Sequence, residues 1–186
     1  MSTLEEVNNG TWFNRDMVKE ESVILNKALL TDTQLEYLLQ KWDEIVKIDN
    51  VIDNRIVGNI DIPPDFIKDW CMKLEQYILI NKIYPVGGIK KYKYGGIKEH
   101  SDALYYDSEL DINSTYTLLI YLSDDEGGET AIKRKKYRVI DDDANMKHER
   151  IYVKPRKGYC VLFNSKLKHF ANDSYDGKLI LHTRIY

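Results

Sequence analysis

Residue patterning along this 186-residue chain predicts an α+β fold, with N-terminal helices packed on one face of a jelly-roll sandwich. Two observations carry that expectation. Apolar residues recur at helical intervals over two stretches before Ile83, and beyond Ile83 the pattern changes to short β-rich runs separated by Gly, Asp and Asn. A third observation bounds it. With 43% hydrophobic and 31% charged residues, the chain has the make-up of a globular protein and the length for one domain with a sizeable core.

Taken in order, residues 1–20 are polar and are expected to form an irregular arm, and Val23-Ile24-Leu25 reads as a short strand. Thr31 and Gln34 have the spacing of a capping box, and Leu35, Leu38, Leu39, Trp42, Ile45 and Val46 follow at helical intervals. A second helix is expected after Pro63-Pro64-Asp65, because proline is favoured in a helix's first turn; Phe66, Trp70, Leu74, Tyr77 and Ile78 would form its buried face. Strands are expected at about 89–94, 115–123, 129–132, 137–140, 151–153, 159–163 and 178–186. No internal repeat or long linker divides the chain. Residues 1–82 therefore read as the arm and supporting helices, and 83–186 as the jelly-roll core of the same domain.

Charge and composition exclude several classes. A net charge of -3 argues against a generally basic nucleic-acid binder. No apolar run approaches the roughly 20 residues needed to span a bilayer. The acidic start, Met1 to Glu6, has no apolar segment of the kind a signal peptide carries. With only Cys71 and Cys160, a disulfide framework is not expected, and the cytoplasm or another reducing intracellular compartment is the expected location.

The chemistry-bearing stretch is His100-Ser101-Asp102. Side chains two apart on an extended strand point to the same face. A distant third donor, His169, completes a set of two imidazoles and one carboxylate. Such a set can occupy one triangular face of an octahedral iron(II) and leave the opposite positions open. The pair by itself is a pattern that four histidines and many aspartates also produce by accident. The stretch between Ala103 and Ser114 reads as a loop beside it.

Along 115–123, Thr117, Leu119 and Tyr121 share one strand face and Leu118, Ile120 and Leu122 the other. Both faces are largely apolar, so this strand is expected to be buried on both sides. Its Tyr121 hydroxyl needs a partner, either a bound carboxylate or a backbone carbonyl. Gly127-Gly128-Glu129-Thr130 is fully explained as a tight reversal between strands. In the final run, Lys178, Ile180, His182 and Arg184 share a face. That face suits either a solvated edge strand or a buried one supplied with anionic partners. His182 suits an approach to the site or a structural hydrogen bond. His148 reads as surface loop and Cys71 as core.

The order His100-x-Asp102, Thr-x-x-x-Tyr-Leu-Ser with Gly-Gly-Glu-Thr, Gly158 to Phe163, His169 and Gly177-Lys178 resembles the 2-oxoglutarate and iron(II)-dependent oxygenases, in particular their prolyl 4-hydroxylase-like branch. The resemblance covers roughly residues 83–186, and Val23 through Leu39 also resembles the branch's strand-then-helix entry. It implies a double-stranded β-helix, the jelly roll of this family. It implies iron ligands at His100, Asp102 and His169, and a hold on the distal carboxylate of 2-oxoglutarate by Lys178 and Tyr121. Thr117 and Leu119, on the Tyr121 face, would line the cosubstrate pocket, as would Tyr92. Departures are visible. The spacing from His169 to Lys178 is slightly short, with Gly-x-Lys contracted to Gly177-Lys178, so Arg184 is a reserve anchor. Ser123 stands where the branch usually has asparagine.

The implied activity consumes 2-oxoglutarate and O2, with ascorbate as an auxiliary reductant, and yields succinate and CO2. The implied substrate is a peptidyl side chain, proline first, in a protein or peptide. Two alternatives stand beside it. Lys133-Arg134-Lys135-Lys136-Tyr137-Arg138 would suit an oxygenase of nucleic acid, although Asp141-Asp142-Asp143 follows at once and a solvated hairpin explains both runs. An oxygenase of small molecules, or an inactive jelly-roll interaction module, completes the set.

Overall fold

The computed structural model describes residues 23–45, 47–50, 55–92, 95–136, 147–175 and 177–186. The expected arm at 1–20, Val46, the expected strand at 137–140 and the Asp141–Asp143 run lie outside the described residues. In chain order the elements are β1 (Val23–Asn26), α1 (Asp32–Glu44), β2 (Ile48–Asn50), β3 (Arg55–Asp61), α2 (Pro64–Leu74), β4 (Val86–Tyr92), β5 (Gly95–His100), β6 (Tyr106–Asp107), β7 (Ile112–Asn113), β8 (Tyr116–Tyr121), β9 (Thr130–Lys136), β10 (Lys147–Val153), β11 (Cys160–Asn164), β12 (His169–Ser174) and β13 (Leu179–Ile185).

Seven strands form one antiparallel sheet in the order β1-β11-β8-β13-β4-β3-β2, and four form a second, β10-β9-β12-β5. Side-chain alternation along the buried strand β8 makes the layers. Leu118 and Ile120 join Ile24, Leu162, Leu181 and Ile89 in a cluster with Leu38, Trp42, Phe66, Trp70 and Leu74 of the helices. Leu119 and Tyr121 point the other way, into a second cluster with Phe163, Ile180, Ile132 and Ile151. The helices therefore cover the outer face of the large sheet, and the inner face packs on the small one. This is the jelly roll expected.

Local signals account for the helices. Thr31 caps α1, its hydroxyl accepting from the Gln34 N–H at 3.2 Å while Gln34 Oε1 accepts from the Thr31 N–H at 3.1 Å. The same Gln34 carboxamide accepts from Trp70 Nε1 and donates to Asp69, tying α1 to α2. Helix α1 ends before Ile45, whose ψ of 155° is extended, so the expected helix is shorter at its C-terminus than its apolar spacing implied. Helix α2 begins at Pro64 and ends at Leu74, leaving Tyr77 and Ile78 beyond it, although Ile78 is still buried in the outer cluster.

Three expectations change. The expected order of helices first and strands after misses β2 and β3, which lie between the helices and extend the large sheet. The final strand is interior, flanked by β8 and β4, which overturns the solvated-edge alternative. The stretch 103–114 holds a short hairpin, β6–β7, rather than a plain loop. Cys71 and Cys160 are both free thiols, half-buried and buried respectively. No helix among the described residues is long and apolar enough to cross a membrane.

Candidate metal centre

Strand pairing brings the distant histidine to the motif. His169, the first residue of β12, is the direct cross-strand partner of His100, the last of β5, so both imidazoles stand on one face with ring centroids 4.3 Å apart. Asp102 lies past the end of β5, outside the strand on which the sequence pattern placed it. Its N–H donates to Ser165 O at 3.0 Å, and Thr117 Oγ1 donates to its Oδ2 at 2.6 Å. Ligand atoms of His100, Asp102 and His169 all lie within 4.8 Å of one another.

The imidazole tautomers follow from the backbone. His100 Nδ1 is 2.9 Å from Lys98 O, and His169 Nδ1 is 3.0 Å from Leu167 O. A carbonyl only accepts, so each Nδ1 carries the proton and each Nε2 presents a lone pair. Those Nε2 atoms lie 3.8 Å and 3.7 Å from the Asp102 oxygens, too far to hydrogen-bond and near enough to share a cation. Burial alone would raise the Asp102 carboxyl. The imidazoles of His182 and His169 and the Thr117 hydroxyl outweigh it and hold the group well below the usual carboxylate range. Burial pushes His169 down as well, favouring its neutral form. Two imidazoles and a carboxylate converging in this way are a donor set that fits a divalent iron.

A pocket open to solvent runs from these three residues toward Lys178, and Arg55, Lys90, Tyr92, Ile97, Leu119, Thr130, Ile180 and His182 also line it. Lys178 is 1% exposed. Its Nζ donates to Gly128 O at 2.6 Å and stands 4.7 Å above the Tyr92 ring. Burial lowers its pKa to about 8, against the opposing charges of Asp125 and Glu129. A buried carboxylate organises this end: Asp125 accepts from Ser174 Oγ and from the Gly127 N–H, and Ser174 Oγ accepts from the Lys178 N–H.

The other expected contacts divide. Leu119 and Tyr92 line the pocket. Tyr121 is fully buried behind it and donates to Thr130 Oγ1 at 2.8 Å. Thr117 is placed behind Asp102, bonded to that carboxylate and 3.0 Å from Ser165 Oγ, not along the pocket wall. Arg184 faces Thr117 across the β13–β8 pair, with its guanidinium 3.3 Å over the Tyr105 ring, away from the pocket lining. Sequence reasoning missed Thr130, Lys90 and Arg55. The period-two pattern that pairs Lys90 with Tyr92 on β4 could have found Lys90.

His182, left open earlier, approaches the site. Its Nε2 is 3.5 Å from Asp102 Oδ2, and burial lowers its pKa to about 4, so it is neutral at pH 7.

The model of the 2OG-Fe(II) oxygenase superfamily matches residues 87–185. No curated protein matches the chain. Among solved structures, a Pseudomonas putida prolyl-4-hydroxylase is similar at 14% identity and a TM-score of 0.60, covering 88% of this chain and 91% of that one. A Trichoplax adhaerens prolyl hydroxylase, solved with a hypoxia inducible factor peptide fragment, is similar at 15% identity and a TM-score of 0.59, over 89% and 84% of the two chains. The alpha ketoglutarate dependent epimerase SnoN of nogalamycin biosynthesis is similar at 12% identity and a TM-score of 0.58, over 90% and 79%. At such identities these likenesses concern the fold.

Proposed function

The chain belongs to the 2OG-Fe(II) oxygenase superfamily, and on that premise we propose that it hydroxylates a peptidyl side chain, proline first, with release of succinate and CO2. The observation that carries the reading is the convergence of His100, Asp102 and His169 at one end of a pocket whose other end is the buried ammonium of Lys178. A dicarboxylate fits such a pocket by its two ends. When bound there, iron and 2-oxoglutarate supply the oxidative decarboxylation of the cosubstrate by O2 and the oxidant that takes hydrogen from a substrate C–H bond.

The chain's own residues bind and orient. Lys178 uses one donor on Gly128 O and keeps two for the distal carboxylate. Tyr121 fills the acceptor side of Thr130, which leaves the Thr130 hydroxyl proton for the same carboxylate. Thr117 and the Ser165 carbonyl fix Asp102. Leu119, Ile180 and Ile97 keep water from the wall between the two ends.

Similarity to a prolyl hydroxylase solved with a peptide fragment supports the substrate class. A small-molecule substrate is the second reading, favoured by the similarity to SnoN. Incubation of the iron(II)-loaded protein with 2-oxoglutarate, ascorbate and a proline-containing peptide library, followed by mass spectrometry and succinate assay, tests the choice. A +16 Da product matched to succinate is the expected result. Succinate formation stimulated only by small molecules would overturn the peptide reading.

A further inference from the structure

Lys178 stands in a short crossing between the layers: β12 ends at Ser174 on the small sheet, and β13 begins at Leu179 on the large one. So little chain gives a lysine no secondary structure of its own to fix it, and its four-carbon stem has many rotamers. What fixes it comes from another part of the fold, the turn between β8 and β9.

Asp125 lies in that turn and is 1% exposed. Its Oδ1 accepts from the Gly127 N–H at 2.9 Å and from the Tyr175 N–H at 3.3 Å, and its Oδ2 accepts from the Ser174 hydroxyl. Ser174 Oγ in turn accepts from the Lys178 N–H at 2.9 Å. A backbone N–H only donates, so the single Ser174 hydroxyl proton is free to point at Asp125. The same carboxylate shapes the other contact of the lysine. Gly128, whose carbonyl accepts from Lys178 Nζ, has a φ of 62°. A Cβ on it would lie 3.2 Å from Asp125 Oδ2 and 3.4 Å from Lys178 Cδ, so carboxylate and lysine stem border the same small space. Ser123 and Leu122 complete the clasp. Ser123 Oγ accepts from the Leu179 N–H, and the Leu122 N–H donates to Leu179 O, both at 2.8 Å.

We propose that Asp125 is a positioning residue for the cosubstrate anchor: by way of Ser174 and the Gly127–Gly128 turn it fixes the Lys178 backbone and the carbonyl that aims the Lys178 ammonium. This rests on Lys178 being the group that holds the distal carboxylate of 2-oxoglutarate. The charge of Asp125 has an effect that its hydrogen bonds do not. With Glu129, it opposes the tendency of burial to discharge Lys178.

Calorimetric titration of the manganese(II)-loaded protein with 2-oxoglutarate, from pH 6 to pH 9, separates the two effects in two variants. Asp125→Asn keeps an acceptor for the Gly127 and Tyr175 N–H groups and removes the charge. Loss of an opposite charge lowers the Lys178 pKa, so affinity should fall away about one pH unit earlier, with a loss of about fivefold at pH 8 and little at pH 6. Ser174→Ala keeps the charge and cuts the relay, so it should weaken binding about threefold to tenfold at every pH and leave the midpoint in place. Glu129 from the turn, Lys90 and Tyr92 from β4, Arg55 from β3 and His182 from β13 are the same in all three proteins, so a moved midpoint reports Asp125. Manganese(II) affinity without 2-oxoglutarate should not change in either variant. Wild-type affinity and midpoint in both variants overturn the proposal. So does an Asp125→Asn protein that loses manganese(II) and 2-oxoglutarate alike with its midpoint unmoved, the sign of a merely structural role. If Asp125→Asn does not fold, Ser174→Ala decides, and unchanged affinity there overturns the proposal. Failure of the unaltered protein to bind 2-oxoglutarate at any pH is a different result: it removes Lys178 as the anchor, and the proposal with it.

Discussion

A lysine that is 1% exposed has left its hydration shell, and Lys178 shows the consequence in a pKa lowered to about 8 by burial. Asp125 and Glu129 offset part of that effect, which keeps the ammonium charged at pH 7. The sign of the pH dependence follows directly. Raising the pH through 8 removes the charge that a dicarboxylate needs, so the apparent dissociation constant of 2-oxoglutarate should rise about tenfold between pH 7 and pH 9. Calorimetry on the manganese(II)-loaded protein measures it, and a flat profile would mean that other groups hold the carboxylate. His182 has the opposite character at the same scale. Burial lowers its pKa to about 4, so it stays neutral across that range and adds no slope.

At the scale of elements, the proposed metal centre depends on one strand pair. β5 ends in His100 and β12 begins with His169, and the ladder between them sets the distance between two ligands. Gly96 controls that ladder at close range: a Cβ there would lie 2.1 Å from Ala171 O and 3.0 Å from the Asn172 carbonyl carbon. Both atoms are backbone, so the strands must part to admit a methyl group. Gly96→Ala is expected to destabilise the protein by about 1–3 kcal/mol and to weaken manganese(II) binding about tenfold or more. Urea unfolding and a metal titration read the two effects separately. Lost stability with unchanged metal affinity would show that the histidine spacing is set elsewhere.

Across the whole molecule, the pocket spans both sheets. His100 and His169 belong to the small sheet, while Leu119, Ile180 and Lys178 stand on or beside strands of the large one. A dicarboxylate held at both ends would tie the layers together, and binding to the folded state alone stabilises it by mass action. With manganese(II) present, 2-oxoglutarate at about 100 times its dissociation constant should add about 2.7 kcal/mol and raise Tm by about 5–10 °C. Without metal it should raise Tm much less. Equal shifts with and without metal, read by thermal unfolding, would place the cosubstrate away from the triad.

How much of this was legible from residues alone varied with the range of the signal. The capping box at Thr31 and Gln34, the proline start of α2 and the alternation of β8 act within a few residues, and each appeared as expected. Strand β3 escaped notice because Val57 beside Ile56 and Gly58 after it leave no clean alternation of apolar and polar residues. The final strand could be read as edge or interior, since three titratable side chains on one face fit either until its neighbours are known.

The sequence by itself determined the layer architecture, the His-x-Asp pair with its distant histidine, and the family they resemble. Those depend on local periodicity and on the order of motifs along the chain. Only the tertiary structure decided that Thr117 braces Asp102, that Tyr121 reaches the pocket through Thr130, and that Asp125 reaches Lys178 through Ser174. Such relations are set by cross-strand register and by the packing of one sheet on another, where a shift of one residue turns every side chain to the opposite face.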